Sequence, residues 1–188
     1  MKKLIAAAFL SLAAFGASAE RADSLKQAVI DFDSLDVDEV TQTRILTGNV
    51  VLTRGTLMLK SDRALVKETP EGYLSVTLTA NSGKLATFRQ KRDGGADLWV
   101  EGQAQRIEYD ERAELVKLFT NAEVRELESG RMTNEIKGPF ISYDNRREVA
   151  QVRNDASGAS KVGGGRGTLI IAPRRATPAA SATEGGKR

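Results

Sequence analysis

From residue 28 to residue 152, apolar and polar residues alternate with a period of two. That is the mark of strands burying one face and wetting the other. In Ala28-Val29-Ile30-Asp31-Phe32-Asp33 one face carries Ala28, Ile30 and Phe32 and the opposite face Asp31 and Asp33. Leu35 and Val37 then alternate with Ser34, Asp36 and Asp38, and Leu46, Gly48, Val50 and Leu52 with Thr47, Asn49, Val51 and Thr53. Leu57 and Leu59 follow. Turn signals cut the pattern at Arg54-Gly55, Pro70-Glu71-Gly72, Asn81-Ser82-Gly83, Asp93-Gly94-Gly95 and Ser129-Gly130. Strands are expected between them, over 74–80, 85–90, 97–101, 105–109, 114–119 and 123–127. No stretch of 12 or more residues keeps a 3.6-residue period, and the polar run 39–44 reads as a hairpin connection. The chain is all-β.

A strand-turn-strand unit occurs twice. Leu46-Thr47-Gly48-Asn49-Val50 leads to the run 57–62; Leu118-Phe119-Thr120-Asn121-Ala122 leads to Ile136-Lys137-Gly138 and on to Ile141-Ser142-Tyr143. Each copy follows a strand with an acidic end, Leu35-Asp36-Val37-Asp38 and Ile107-Glu108-Tyr109-Asp110. Repetition of a short β unit points to an elongated stack of hairpins with one apolar interior along its length. The inward set is mostly Ile, Leu and Val with few large aromatics: Phe32, Tyr109, Phe140 and Tyr143. On these residues alone, an ordinary packed sandwich core and an interior completed by an acyl chain both fit.

The two termini differ from the body. Lys2 and Lys3, the apolar run Leu4 to Phe15 and Ala17-Ser18-Ala19 read as a cleavable signal peptide over residues 1–19, in a bacterial style that favours the periplasm. The apolar run of about 12 residues is shorter than the roughly 20 a spanning helix needs. The domain is expected over 20–173. Its end is a Gly-rich loop, Asn154 to Gly167, and a last strand, Thr168 to Ala172. Residues 174–188 read as a disordered, basic, low-complexity tail.

Composition removes several classes of function. The chain has no Cys and no His, which excludes disulfide stapling, His-based nucleophilic triads and the commonest zinc ligand. Aromatics make up 5%, too few for a base-stacking platform. The formal charge of +3 is unevenly spread: residues 20–152 hold 19 basic and 23 acidic side chains, residues 153–188 hold 7 and 2. A mildly acidic body argues against nucleic acid as a partner. Asp36/Asp38 and Glu108/Asp110 offer paired acids for a glycosidase-like site, but alternation puts them on the wet face. No metal or cofactor spacing is present, and Gly163–Gly165 lacks the Lys-Ser/Thr pair of a phosphate loop.

Leu46-Thr47-Gly48-Asn49-Val50, then Gly55, then Ser61-Asp62-Arg63-Ala64 resemble the OstA/LptA-like repeat of lipopolysaccharide transport. Glu101-Gly102-Gln103-Ala104, Tyr109, Leu118 to Ala122, and Ile136 to Tyr143 resemble its second half. The likeness runs from about Ala28 to Ala172. It departs at Phe119-Thr120, where the family favours Thr-Gly, at the long segment 126–133, and at Ala28, where a larger aliphatic is usual.

The resemblance implies an elongated, twisted β-jellyroll of antiparallel strands, open at both ends, with lipid between its sheets. It implies a non-enzymatic periplasmic bridge for lipopolysaccharide, held by its lipid A moiety. The implied partners are an anchored inner-membrane jellyroll (LptC-like), the periplasmic domain of an outer-membrane barrel (LptD-like), and further copies joined head to tail. Burying one CH₂ is worth about 0.8 kcal/mol, so an acyl chain of about 12–14 carbons loses on the order of 10 kcal/mol in water; hence the need for a greasy channel. The expected lining is Ile30, Phe32, Leu35, Val37, Leu46, Val50, Leu52, Leu57 and Leu59. From the second half it is Ile107, Tyr109, Leu118, Ala122, Ile136, Phe140, Ile141 and Tyr143, although adjacent Phe140 and Ile141 cannot both face inward. Exposed edges for joining are expected at Ala28, Ile30 and Phe32, and at Ala150, Val152, Leu169 and Ile171. Arg89, Lys91 and Arg92 are candidates for lipid phosphates at a groove mouth. A structural β-solenoid or adaptor that binds only proteins is the alternative.

Overall fold

The computed structural model describes Asp23, residues 26–95 and residues 97–173. The signal-peptide segment 1–19 and the tail 174–188 lie outside the described residues. Twelve strands follow one another: β1 (Val29–Asp31), β2 (Ser34–Asp38), β3 (Thr43–Arg54), β4 (Leu57–Glu68), β5 (Leu74–Thr79) and β6 (Ala86–Lys91), then β7 (Leu98–Ala104), β8 (Arg106–Asp110), β9 (Leu115–Glu128), β10 (Arg131–Asp144), β11 (Val149–Arg153) and β12 (Thr168–Ile171). Every pairing is antiparallel. The period-two pattern produces these strands, and the segment 39–42 is a turn, as the sequence suggests.

Four strands are long, 12 residues each in β3 and β4 and 14 each in β9 and β10. Each bends midway and changes layer. One layer runs β2, the first half of β3, the second half of β4, β5, β8, the first half of β9, the second half of β10, and β11. The other runs β1, the second half of β3, the first half of β4, β6, β7, the second half of β9, the first half of β10, and β12. The result is a jellyroll of two eight-stranded layers folded along a common seam.

The seam is built by breaks in the ladder. Register shifts fall between Thr47 and Val50 and between Gly138 and Phe140. Gly48 (φ 79°) and Asn49 (φ 46°) occupy the bend of β3, and Thr120 (φ 63°) and Asn121 (φ 54°) that of β9. The two repeats seen in the sequence are thus two bends of the same kind. A Cβ on Gly48 would lie 2.1 Å from Asp33 Oδ2, so this position needs glycine for space as well as for φ. Thr120 adopts the same left-handed backbone at a steric cost. Asp62 pins the crossover from β5 to β6 by accepting from Asn81 N (2.8 Å) and Lys84 Nζ (2.9 Å).

Candidate functional site

Directly paired residues in neighbouring strands share a face, so side-chain rows can be followed across each layer. One row reads Leu35, Leu46, Ala64, Leu78, Ile107, Leu118, Ile141, Val152. Beside it runs Val37, Arg44, Val66, Val76, Tyr109, Val116, Tyr143, Ala150. In the other layer the row is Ile30, Leu52, Leu59, Phe88, Gly102, Val124, Ile136, Leu169. These rows face one another, and their buried members, with Val50, Leu57 and Ala122, form a single apolar cluster; Arg44, half-buried and paired with Glu68, interrupts the second row between Val37 and Val66. Phe88 meets Tyr143 across the interior at 6.4 Å between centroids. Gly102 leaves room for the Phe88 ring, which a Cβ there would approach to 2.1 Å.

Three parts of the interior differ in cover. In the middle it is filled: Leu59, Leu78, Val100, Ile107, Leu118 and Ile141 are fully buried. At the β1–β2 end the same rows emerge into solvent at Phe32, Leu35 and Val37, which are 39–48% exposed. At the β11–β12 end they emerge at Leu169 (60%) and Ile171 (69%). Clefts open elsewhere as well. One of about 230 Å³ lies on the outer face by Lys60, Arg89 and Arg125, and one of about 580 Å³ lies at the seam by Asn121, Pro139 and Arg166.

Opposite the seam, the hairpin turns of the two layers come together and are bridged by polar groups. Arg54 on β3 pairs with Glu111 after β8. Asn145 Nδ2 donates to Gln90 Oε1 at 2.5 Å. Arg92 donates to Glu148 at 2.7 Å, and Asp93 N donates to the same carboxylate at 3.2 Å. Beneath them Tyr109 is buried, and its hydroxyl pKa is pushed well up by desolvation and then by Glu111.

Of the expected lining, eleven residues lie in the buried cluster: Leu46, Val50, Leu52, Leu57, Leu59, Ile107, Tyr109, Leu118, Ala122, Ile141 and Tyr143. Ile30 and Ile136 pack at its margin. Phe140 does not face inward. It is buried outside the interior, edge-on to Phe119 (5.0 Å), with Arg106 over Phe119 (3.8 Å) and Gly158 of the 154–167 loop against its ring. Alternation forces the choice, since neighbouring Ile141 holds the inward position. Leu35 and Val37 face the interior but sit on an edge strand: β2, like β1, has a free side. The three basic candidates separate: Arg92 stands at the mouth, paired with Glu148 and Glu126, while Lys91 and Arg89 lie on the outer face, the latter stacked 4.2 Å from the Trp99 centroid. Glu111, Gln90, Asn145 and Glu148, which close the mouth, were missed by sequence reasoning. No local motif marks them, since their partners lie 55 to 57 residues away in the chain.

A non-closing two-layer jellyroll with apolar side chains exposed at both ends places the chain in the class of antiparallel β proteins with free edges. The chain belongs to the family described as LptA/(LptD N-terminal domain) LPS transport protein, which matches residues 29–149. It is 29% identical over 178 residues to the lipopolysaccharide export system protein LptA of Haemophilus influenzae, covering 91% of this chain and 94% of that one. LptA of Escherichia coli K12 is 29% identical over 170 residues, covering 90% and 84%. The crystal structure of LptH, the LptA homologous periplasmic component of the lipopolysaccharide transport device of Pseudomonas aeruginosa, superposes with a TM-score of 0.68 at 24% identity. It covers 80% of this chain and 99% of that chain, and supports the fold.

Proposed function

We propose that this chain is a periplasmic bridge that carries lipopolysaccharide between an inner-membrane transport complex and an outer-membrane translocon, with no chemistry performed on the lipid. One observation carries the reading: two inward apolar rows, Leu35 to Val152 and Ile30 to Leu169, run through the molecule, and apolar side chains stand exposed at both its ends, Leu35 and Val37 at one and Leu169 and Ile171 at the other. Acyl chains travel along those rows while sugars and phosphates stay on the wet side. The proposed lining is the set of inward residues above, without Phe140. Residues 1–19 serve as the export signal and 174–188 as a polar tail.

The same geometry supports head-to-tail joining. Each layer has eight strands in antiparallel order, so its two edge strands run in opposite directions. A second copy in the same orientation therefore continues both layers antiparallel at once, β11 against β2 and β12 against β1. Carrying the rows across the junction sets Leu35 beside Val152 and Val37 beside Ala150, with Ile30 beside Leu169. Charge helps as well: Asp31, Asp36, Asp38 and Glu39 line one end and Arg147, Arg153 and Arg166 the other. An anchored inner-membrane jellyroll and the jellyroll domain of an outer-membrane barrel would cap the chain of copies by the same edges.

The packed middle is also what a purely structural adaptor would have, so the two readings need a direct test. Purified protein incubated with lipopolysaccharide and passed over a sizing column is expected to elute with bound lipid. Elution free of lipid at every ratio tried leaves the adaptor.

A further inference from the structure

We infer that the polar bridges along the mouth form a releasable clasp, and that it gates entry of acyl chains into the middle of the interior. The inference rests on the lipid-carrying reading above and adds to it the device that controls access.

Three observations converge. First, side chains fill the interior behind the mouth, so a chain reaches the middle only if the two layers part. Second, what holds the layers at the mouth is polar where aliphatic side chains would seal a dry sandwich. Gln90, Glu111 and Asn145 are 5%, 7% and 1% exposed, and buried polar contacts of this kind are often no more stabilising than well-packed apolar ones. They do have a property that grease lacks: when the layers separate, water satisfies every group released. Asn145 Oδ1 is buried without a hydrogen-bond partner, so one group of the closed clasp is better satisfied when open. Third, the opposite side of each layer is a line of bends. Gly48, Asn49, Thr120 and Asn121 all have left-handed backbones at breaks in the ladder, a hinge line about which the layers can swing.

The position of the bridges fits a gate. Arg54–Glu111, Gln90–Asn145 and Arg92–Glu148 tie β3 and the end of β6 to the turns after β8 and β10, and none of the three involves a residue of β1, β2 or β12. The ends are open and the middle is latched. Lipid rests at an end until the clasp yields, and it advances as the clasp re-forms behind it.

The chain has no cysteine, so a thiol bridge can be placed at will. Arg92→Cys with Glu148→Cys, joined by a short reducible bis-methanethiosulfonate, latches the mouth without touching the apolar rows. Uptake of fluorescent lipid A by the bridged protein is expected to fall at least tenfold and to recover on reduction; the unbridged double variant is expected to load at least as fast as wild type. Equal loading with and without the bridge overturns the clasp while leaving lipid transport intact. Failure of wild type to take up lipid A removes the carrier reading and the clasp with it. A second variant, Gln90→Leu with Asn145→Leu, greases the closure. It is expected to keep the thermal midpoint of wild type or raise it, yet to load several-fold more slowly; faster loading contradicts the inference.

Discussion

The middle of the jellyroll and its two ends are built from the same aliphatic residues in the same rows, yet only the middle is buried. Leu35, Leu118 and Val152 stand in one row, but Leu118 is fully buried and Leu35 is 41% exposed. The difference lies in neighbours: Leu118 has a paired strand on each side, whereas Leu35 sits on a strand with one side free. Burial is decided by how many strands flank a position, and the ends await neighbours from outside the chain. An apolar row that stops in solvent implies a continuation.

The largest effect is expected at the buried member of this pair. Leu118→Ala removes fully buried methylenes from between the layers and is expected to destabilise by about 2–5 kcal/mol. Leu35→Ala should change stability by less than about 0.5 kcal/mol while weakening self-association; denaturant melts and sedimentation separate the two effects. Comparable losses of stability would mean that the ends are part of the core.

The seam offers a smaller, paired contrast. Gly48→Ala places a Cβ against Asp33 at a positive φ, and a destabilisation of about 1–3 kcal/mol is expected. Thr120→Gly at the matching bend relieves a β-branched residue from the same backbone and should stabilise by about 0.5–1 kcal/mol. Opposite signs in thermal melts support two equivalent bends. Destabilisation by both leaves them unrelated.

The smallest effect concerns the loop that caps Phe140. The Ser157 hydroxyl, then Lys161, hold the Asp155 carboxyl down to about 2, from an ordinary 3.8. A folded pKa below the unfolded one stabilises fully above about pH 4, and that contribution is lost as the pH falls towards 2. An NMR titration of Asp155 should show a midpoint near that value, and Lys161→Ala should raise it.

The strands and most inward positions were legible because alternation is a local signal. Leu46, Val50, Leu52, Ile107 and Leu118 could be assigned to a face from their immediate neighbours. Three things were not. The long strands β9 and β10 read as broken pieces and β4 only as its first half, since a bend that changes layer looks like a strand end in a one-dimensional pattern. Phe140 was ambiguous because the irregularity at Pro139 resets the alternation. The Arg54–Glu111, Gln90–Asn145 and Arg92–Glu148 bridges depend on where distant turns meet, which topology decides and composition does not. Thr120 stood out in the sequence as a departure from Thr-Gly; the structure gives it the left-handed backbone that explains why glycine is favoured there.

If this chain carries lipid, the acyl chains run along the inward rows from end to end. A photo-crosslinking residue placed in turn at Leu35, Leu118 and Val152, and at their outward neighbours Asp36, Lys117 and Gln151, tests this in cells. Lipopolysaccharide adducts at the three inward positions and none at the outward three are the expected result. Adducts confined to the outward positions, or none at Leu118 despite strong ones at both ends, would contradict a continuous interior path.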